Sequence, residues 1–306
     1  VAINSIGRTQ ADTAGFIPII WAQRALDVLR AKIVLANFVA SDADYEPGWK
    51  GKTLNIPYPG TFTAQSKTEG NPATVQQPAN AATVPVTLSQ HKYVDFVIED
   101  WAQAQSSSKL MDRWMNPAIV ALVEDLETYL FSFYSSLTGT SVGTSGTNIA
   151  RATITAARVA LNTAKVPMED RALIISPKDE GALLNDATLQ SYFAFRQNEA
   201  ITNGKIGEID GFNIAMSQLV PVVAGTPNST KNLAIQRDSL LLATRPLLDP
   251  PADSGVKTSV VLDEKSGLSL RFQYQYRIDY RGMYCGFDLL YGGVALRPGN
   301  GGVVLS

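Results

Sequence analysis

The chain is predicted to fold in the α+β class, and three observations carry that prediction. Residues 117–137 place Ile119, Val123, Leu126, Leu130, Phe133 and Leu137 at three- and four-residue steps, the period of a long amphipathic helix. Residues 268–279 alternate without interruption. Leu268, Leu270, Phe272, Tyr274, Tyr276 and Ile278 make one wall, and Ser269, Arg271, Gln273, Gln275, Arg277 and Asp279 make the other, as in a strand with one apolar face. Between these two stretches, short helix and strand signals interleave after a Gly-rich joint at 138–148.

Taken in order, residues 1–15 read as a polar arm. Residues 17–37 read as a helix: Pro18 suits a first turn, and Trp21, Ala25, Leu29 and Ile33 form one apolar stripe. "GKTLNIPYPG" puts Leu54, Ile56 and Tyr58 on one strand parity and ends on a Pro-Gly turn. Residues 61–83 contain almost no large apolar side chain. Val84, Val86, Leu88, Val94, Phe96 and Ile98 then share a parity, which predicts one strand on the order of 50 Å long at ~3.3 Å per residue. Two strands joined by so long a polar loop look like an arm rather than a core, and such loops are usually functional.

The helical region is expected over 106–137, with Asn116 as cap and Pro117 in the first turn of the main helix. "TGTSVGTSGTN", 138–148, reads as a flexible linker. Ile154, Ala157, Leu161 and Ala164 predict a helix, "RALIISP" a buried strand, and "PKDEGALLND" a helix opened by Pro177. Asp210-Gly211 between Ile209 and Phe212 is a strong hairpin signal, with Phe212, Ile214 and Met216 facing one way beyond it. "DEKSG", 263–267, is a turn pairing "SVVL" with the long alternating strand.

Composition narrows the function. A chain of 306 residues buries a large core, ~75% of its unfolded surface. The formal net charge of −2 and the absence of a long basic run argue against a dedicated nucleic-acid binder. The single Cys285 makes no intrachain disulfide, which points to folding in a cytoplasm. No stretch is long and apolar enough to span a membrane, and the polar N-terminus does not read as a signal peptide. Initiator Met removal and cleavage of a longer precursor both fit Val1.

Candidate chemistry is sparse. "GTSVG", 139–143, matches a hydrolase elbow, but that motif needs a strand before Ser141 and a helix directly after, and the only histidine, His91, precedes it. "GWKGKT", 48–53, ends like a phosphate loop, yet Glu46 stands where that motif needs glycine, and a strand follows. One His and one Cys do not build a common zinc site. His91 lies opposite the apolar parity of its strand and reads as a surface or interface residue; Cys285 reads as a small core side chain. Glu124, Asp125 and Glu127 on one helix, and Asp179 and Glu180 on another, read as solvated or intersubunit faces before they read as an acid pair. "NST", 228–230, reads as a loop rather than a glycosylation site. No catalytic residue, metal ligand or cofactor is assigned.

The order of elements, together with "GKIGEIDGFNIAMSQLVP", the preceding "RALIISPKDEGALLND" and the closing "GMYCGFDLLYGGVALRP", resembles the major capsid protein of tailed bacteriophages, the Hong Kong 97-like fold. The resemblance implies an N-terminal arm at 1–15, an N-terminal helix region at 16–45 and an extended E-loop at 46–98. It implies a peripheral domain of 99–137 and 256–282, with the spine helix at 106–137, and an axial domain of 138–255 and 283–306. It implies self-assembly into hexamers and pentamers of an icosahedral head around double-stranded DNA. A scaffolding protein, a portal and decoration proteins are the implied partners, contact with DNA is non-specific, and no membrane is involved. The implied location is the virion, assembled in the bacterial host cytoplasm. Phe62, Lys67, Glu69 and His91 are the candidate intersubunit E-loop contacts. Some members weld subunits through Lys–Asn bonds; Lys67 and Asn71 lie in the loop, but their presence does not establish such a bond. No long helical scaffolding segment opens this chain, which implies a separate scaffold or cleavage before Val1. The competing readings are an encapsulin-like nanocompartment shell, a serine hydrolase using Ser141, and a monomeric binding module using 61–83.

Overall fold

The computed structural model describes residues 16–41, 53–58, 64–70, 82–101, 110–139, 141–186, 206–262 and 267–306. Helix α1 is Phe16–Lys32, followed by a 3-10 turn at Leu35–Phe38 and strand β1, Ala40–Ser41. Strands β2 (Thr53–Tyr58), β3 (Ala82–Thr87) and β4 (Gln90–Glu99) precede helix α2, Leu110–Ser132. Then come β5 (Val142–Gly143), α3 (Arg151–Thr163), β6 (Arg171–Ile175) and α4 (Pro177–Leu184). Strands β7 (Glu208–Ile209), β8 (Phe212–Met216), β9 (Val222–Val223), β10 (Ser229–Gln236) and β11 (Leu241–Thr244) follow. The chain closes with β12 (Lys257–Leu262), β13 (Ser269–Arg277), β14 (Gly282–Val294) and β15 (Gly301–Leu305). Mixed sheets beside a long helix make this the α+β fold that periodicity predicts.

Two sheets organise these elements. The first runs β1-β11-β14-β13-β12, with β4 paired along the whole first part of β14, from Gly282↔Glu99 to Tyr291↔Gln90. Its inner face is covered by α1, packed on β12 and β13, and by α2, packed on β4 and β14. Trp21, Ala25, Leu29 and Ile33 turn inward as their spacing requires. On α2 the buried stripe is Met115, Ile119, Leu122, Val123, Leu126 and Leu130. Each such side chain contributes about 1.5–3 kcal/mol on burial, so packing rather than intrinsic propensity holds this helix. The second sheet runs β5-β15-β10-β6-β8-β7, with β9 on β10, and packs Leu173, Ile175 and Ala234 against Ile154, Ala157 and Leu161 of α3.

The structure departs from the sequence reading in several places. Pro117 does not open the main helix but lies inside α2, where it withholds one N–H from the helical ladder. Asn116 and Pro117 face solvent while Met115 and Ile119 are buried, so packing on both sides carries the helix through the proline. The expected single strand over 84–98 is two strands, broken at Leu88-Ser89. Here the chain leaves the β2–β3 pair and joins the first sheet, crossing so close to Gly292 that a Cβ there would lie 2.2 Å from the Thr87 carbonyl oxygen. The apolar parity survives the break, which is why the sequence hides it.

The Gly-rich stretch after α2 is not a loose linker. Gly139 N–H donates to the Gly301 carbonyl at 2.9 Å, and β5 pairs in parallel with β15. A Cβ on Gly139 or Gly143 would meet the carbonyls of Gly301 and Leu305 at 2.1 and 2.2 Å, so these glycines permit backbone contact rather than motion. In β8 only Phe212 and Ile214 keep the inward parity; Met216 is exposed. In β13 the apolar wall is covered at Leu270 and Phe272 but uncovered at Tyr276, and the same parity stays exposed at Ile278. The residue 282/283 boundary expected between two domains falls at the start of β14, and β11 and β14 share the first sheet with β13. Likewise, residues 90–98, expected within an extended loop, form a paired strand of that sheet.

Candidate assembly surfaces

Strands β2 and β3 form an antiparallel stem, from Thr53↔Thr87 to Tyr58↔Ala82, that belongs to neither sheet. Its foot is anchored because Ile56 and Val86 are buried with Ala40, Leu241, Ala243 and Leu296. Beyond the stem, residues 64–70 are exposed throughout, and Gly70 takes a left-handed φ of +82° with open space around it. Lys67 and Glu69 lie on this stretch and are exposed. Phe62, the third candidate, lies outside the described residues, as does Asn71.

His91, the fourth candidate, is not part of the stem. It projects from the outer face of the first sheet, with Nε2 3.4 Å from Asp288 Oδ2 and its ring 6.5 Å from that of Tyr93. On that face Arg271 Nε donates to Asp288 Oδ1 at 2.9 Å, and a second Arg271 nitrogen meets the other Asp288 oxygen. Tyr284 Oη donates to Asp95 Oδ2 at 2.5 Å, which with burial pushes the phenol up to about 12. The structure therefore separates His91 from Lys67 and Glu69 instead of grouping them.

Residues that the spacing did not single out make the other open surface. Trp101 is 72% exposed, Ile278 70%, Tyr280 54% and Tyr276 47%. They share one end of the first sheet: Tyr276 Oη donates to Asp100 Oδ2 at 2.6 Å, and Asp100 N–H donates to the Arg281 carbonyl at 2.9 Å. Charges of both signs (Glu99, Asp100, Arg277, Asp279, Arg281) ring this end. The one available signal was the apolar parity of β13 running on through Ile278, and that signal does not say where the cover ends.

Three of the carboxylates considered for catalysis, Asp125, Glu127 and Asp179, have structural partners, and Glu127 and Asp179 are buried rather than on the solvated faces expected of them. Glu127 is 1% exposed, and its two oxygens accept the N–H groups of Val34, Leu35 and Ala36 at 3.0, 3.0 and 3.2 Å. Burial pushes its pKa up, opposed by these three bonds. Asp125 accepts from Lys92 at 3.1 Å and from Tyr291 at 2.5 Å. Asp179 is buried and accepts from Ser176, Asn232, Ser306 and the Ile149 N–H. Ser141 is exposed on an irregular stretch after a 3-10 turn, and the next helix begins only at Arg151, so the elbow geometry is not formed. Of "GWKGKT", only Thr53 is described, and it begins β2. In "NST", Thr230 is buried within β10 and Asn228 Oδ1 accepts the Gly225 N–H.

No family model matches the chain, and no curated protein does. Solved structures do match, over most of the chain. A structure of Mycobacterium phage Che8 superposes with a TM-score of 0.63 at 19% identity, covering 89% of this chain and 90% of that one. The capsid of Ralstonia phage GP4 gives 0.61 at 11% identity, covering 89% and 87%. A virus-like particle from Pyrococcus furiosus gives 0.50 at 14% identity, covering 94% and 99%. At these identities the likeness is one of fold. With two sheets, a long helix laid across one of them, and a hairpin stem outside both, the chain has the Hong Kong 97-like fold of tailed-bacteriophage capsid proteins.

Proposed function

We propose that the chain is a structural major capsid protein that self-assembles into hexamers and pentamers of an icosahedral head enclosing double-stranded DNA. The observation that carries this reading is the β2–β3 stem, anchored at its foot and uncovered beyond it. Backbone and side chains held out in this way need a neighbour's surface. The apolar end at Trp101, Tyr276, Ile278 and Tyr280 supplies a second surface, since exposed apolar patches rimmed by charge mark contact sites. Heterologous contacts that close generate rings, and obligate contacts of this kind bury ~2,000 Å² or more. No reaction is part of the function.

In this reading the stem is the foot of the E-loop, while the expected arm, 1–15, lies outside the described residues. Helix α2 is the spine of a peripheral unit built on the first sheet, and the second sheet with α3 and α4 forms the axial unit. A scaffolding protein, a portal and decoration proteins are the partners. Contact with packaged DNA is non-specific, because Lys and Arg do not cluster. The protein works in the virion after assembly in the host cytoplasm. An encapsulin-like shell is the second reading, since the likeness to a virus-like particle, which spans nearly all of both chains at a lower TM-score, supports a shell of either kind.

Negative-stain electron microscopy of the purified protein, with and without a co-expressed scaffold, tests the proposal. Closed polyhedra or rings of five and six are expected. Monomers under both conditions would overturn it, and particles that package a tagged cargo protein instead of DNA would favour the second reading.

A further inference from the structure

The β2–β3 stem is a two-stranded ribbon outside both sheets, so above its foot, where Thr87 meets Gly292, both of its edges are open. Each strand carries one proline, Pro57 in β2 and Pro85 in β3. Proline has no N–H to give to a ladder. The register pairs Asn55 with Pro85 and Pro57 with Thr83. These pairs stand two residues apart along each strand, so they are of the same kind. Both are non-hydrogen-bonded pairs, because the other kind needs a donor that neither proline has. The ladder bonds therefore run through Leu54↔Val86, Ile56↔Val84 and Tyr58↔Ala82. The main-chain groups of Thr53, Asn55 and Pro57 point out along one edge, and those of Thr83, Pro85 and Thr87 along the other. Each proline thus removes a donor from an outer edge and none from the stem's own ladder.

The other end strands among the described residues are guarded differently. Strands β1, β5, β7 and β9 are two residues long. Strand β4 carries Lys92, Asp95 and Glu99, and β12 begins with Lys257. Short length and charge both discourage pairing at an open edge. Strands β2 and β3 have neither guard. Each is six residues long, has no charged side chain and is rich in Thr, Val or Ile, a composition that favours pairing between chains. Proline is the guard they do carry. We propose that Pro57 and Pro85 keep the stem of one copy of the chain from pairing, edge to edge, with the stem of another. Every copy has the same stem, and a ribbon has two edges, so such pairing would run on from copy to copy as an open stack. With the prolines in place, an incoming strand finds a carbonyl but no donor in the middle of β3 and near the end of β2. The proposal concerns the free subunit and does not depend on the shell reading.

The test uses the full chain, unassembled, with Pro57→Thr and Pro85→Thr together; threonine restores both donors without adding apolar surface. Self-association is followed by sedimentation equilibrium and amide exchange by NMR. In the native chain the outward N–H groups of Asn55 and Thr83 are expected to exchange fast, and those of Ile56, Val84 and Val86 slowly. In the double variant, self-association about tenfold tighter or more is expected for two restored donors. Exchange should slow at Asn55, Thr83 and the two substituted positions. A control chain combines Pro85→Thr with Thr83→Pro and keeps Pro57, which moves the missing donor two residues along the same edge. It should stay as dissociated as the native chain. Unchanged association of the double variant overturns the proposal, as does association without slowed exchange at those positions. Slow exchange of Asn55 and Thr83 in the native free subunit also overturns it, since those groups would already have partners. So does a control chain that associates like the double variant, because the missing donor would then not be the barrier. Should the double variant unfold, Pro85→Thr alone carries the same readouts.

Discussion

Replacing Glu127 by alanine tests the connection between the long helix and the turn that follows α1. The carboxylate sits on α2, yet it closes the start of the 3-10 turn Leu35–Phe38 by accepting three successive N–H groups. Leu35 and Ala36 are buried, so removing the acceptor orphans at least two N–H groups. Each such group costs about 1–3 kcal/mol. A cavity of about 290 Å³ beside Val34 lets water reach the third. The expected loss is therefore about 3 kcal/mol, roughly a hundredfold in the folding equilibrium.

Glu127→Gln should lose about 2 kcal/mol, because its amide nitrogen turns a donor toward a donor. Its comparison with the native protein also carries a pH signature. Burial raises the Glu127 pKa in the folded state, so the native state binds a proton more readily than the unfolded chain. Stability from this group is fully present below the ordinary carboxylate pKa and is lost as pH rises through the raised value. The gap between native protein and Glu127→Gln should thus narrow with rising pH. Urea unfolding of the unassembled subunit across that range, with hydrogen exchange at residues 34–36, is the assay. Alanine and native midpoints that agree within about 0.5 kcal/mol would refute the clamp. A gap that widens with pH would show that the three N–H bonds outweigh burial.

Gly143→Ala should release the C-terminal strand, since its Cβ would lie 2.2 Å from the Leu305 carbonyl oxygen at a φ of +90°; faster proteolysis after α2 and near 301–305 is the readout, and native-like resistance would contradict the backbone contact. The Cys285 thiol is buried and its pKa is pushed up to about 12, so a thiol reagent at pH 8 should leave it unmodified until urea is added; rapid labelling of the folded subunit would place it at the surface. Trp101→Ala with Ile278→Ser should change subunit stability by less than about 0.5 kcal/mol, as exposed positions do, while particle yield falls sharply; unchanged yield would remove this end of the sheet from assembly.

Most individual elements were legible because their signals are local. The stripe on α1, the buried run of β6, the Pro177 start of α4 and the Asp210-Gly211 hairpin, with φ of +49° and +80°, all appear where spacing and turn chemistry put them. The break at Leu88-Ser89 was not legible, since the residues keep their parity while the chain changes partner. Pro117 misled because a proline at a helix start and a tolerated proline within a packed helix look alike in sequence. Of the candidate contacts, the openness of Lys67 and Glu69 followed from composition. The place of His91, on the sheet rather than on the stem, depended on residues far away in the chain.

The sequence by itself determined the class of fold, the periodic helices and strands, and that Ser141 does not stand on a strand–helix elbow. Those properties follow from period, turn residues and the count of reactive side chains. Only the tertiary structure decided that the glycines after α2 bind the C-terminal strand, that Glu127 holds a turn more than 90 positions earlier, and where the apolar wall of β13 loses its cover. The physical reason is that backbone pairing and burial are set by which distant segment arrives as neighbour. A glycine, a glutamate or a tyrosine reads the same until that neighbour is in place.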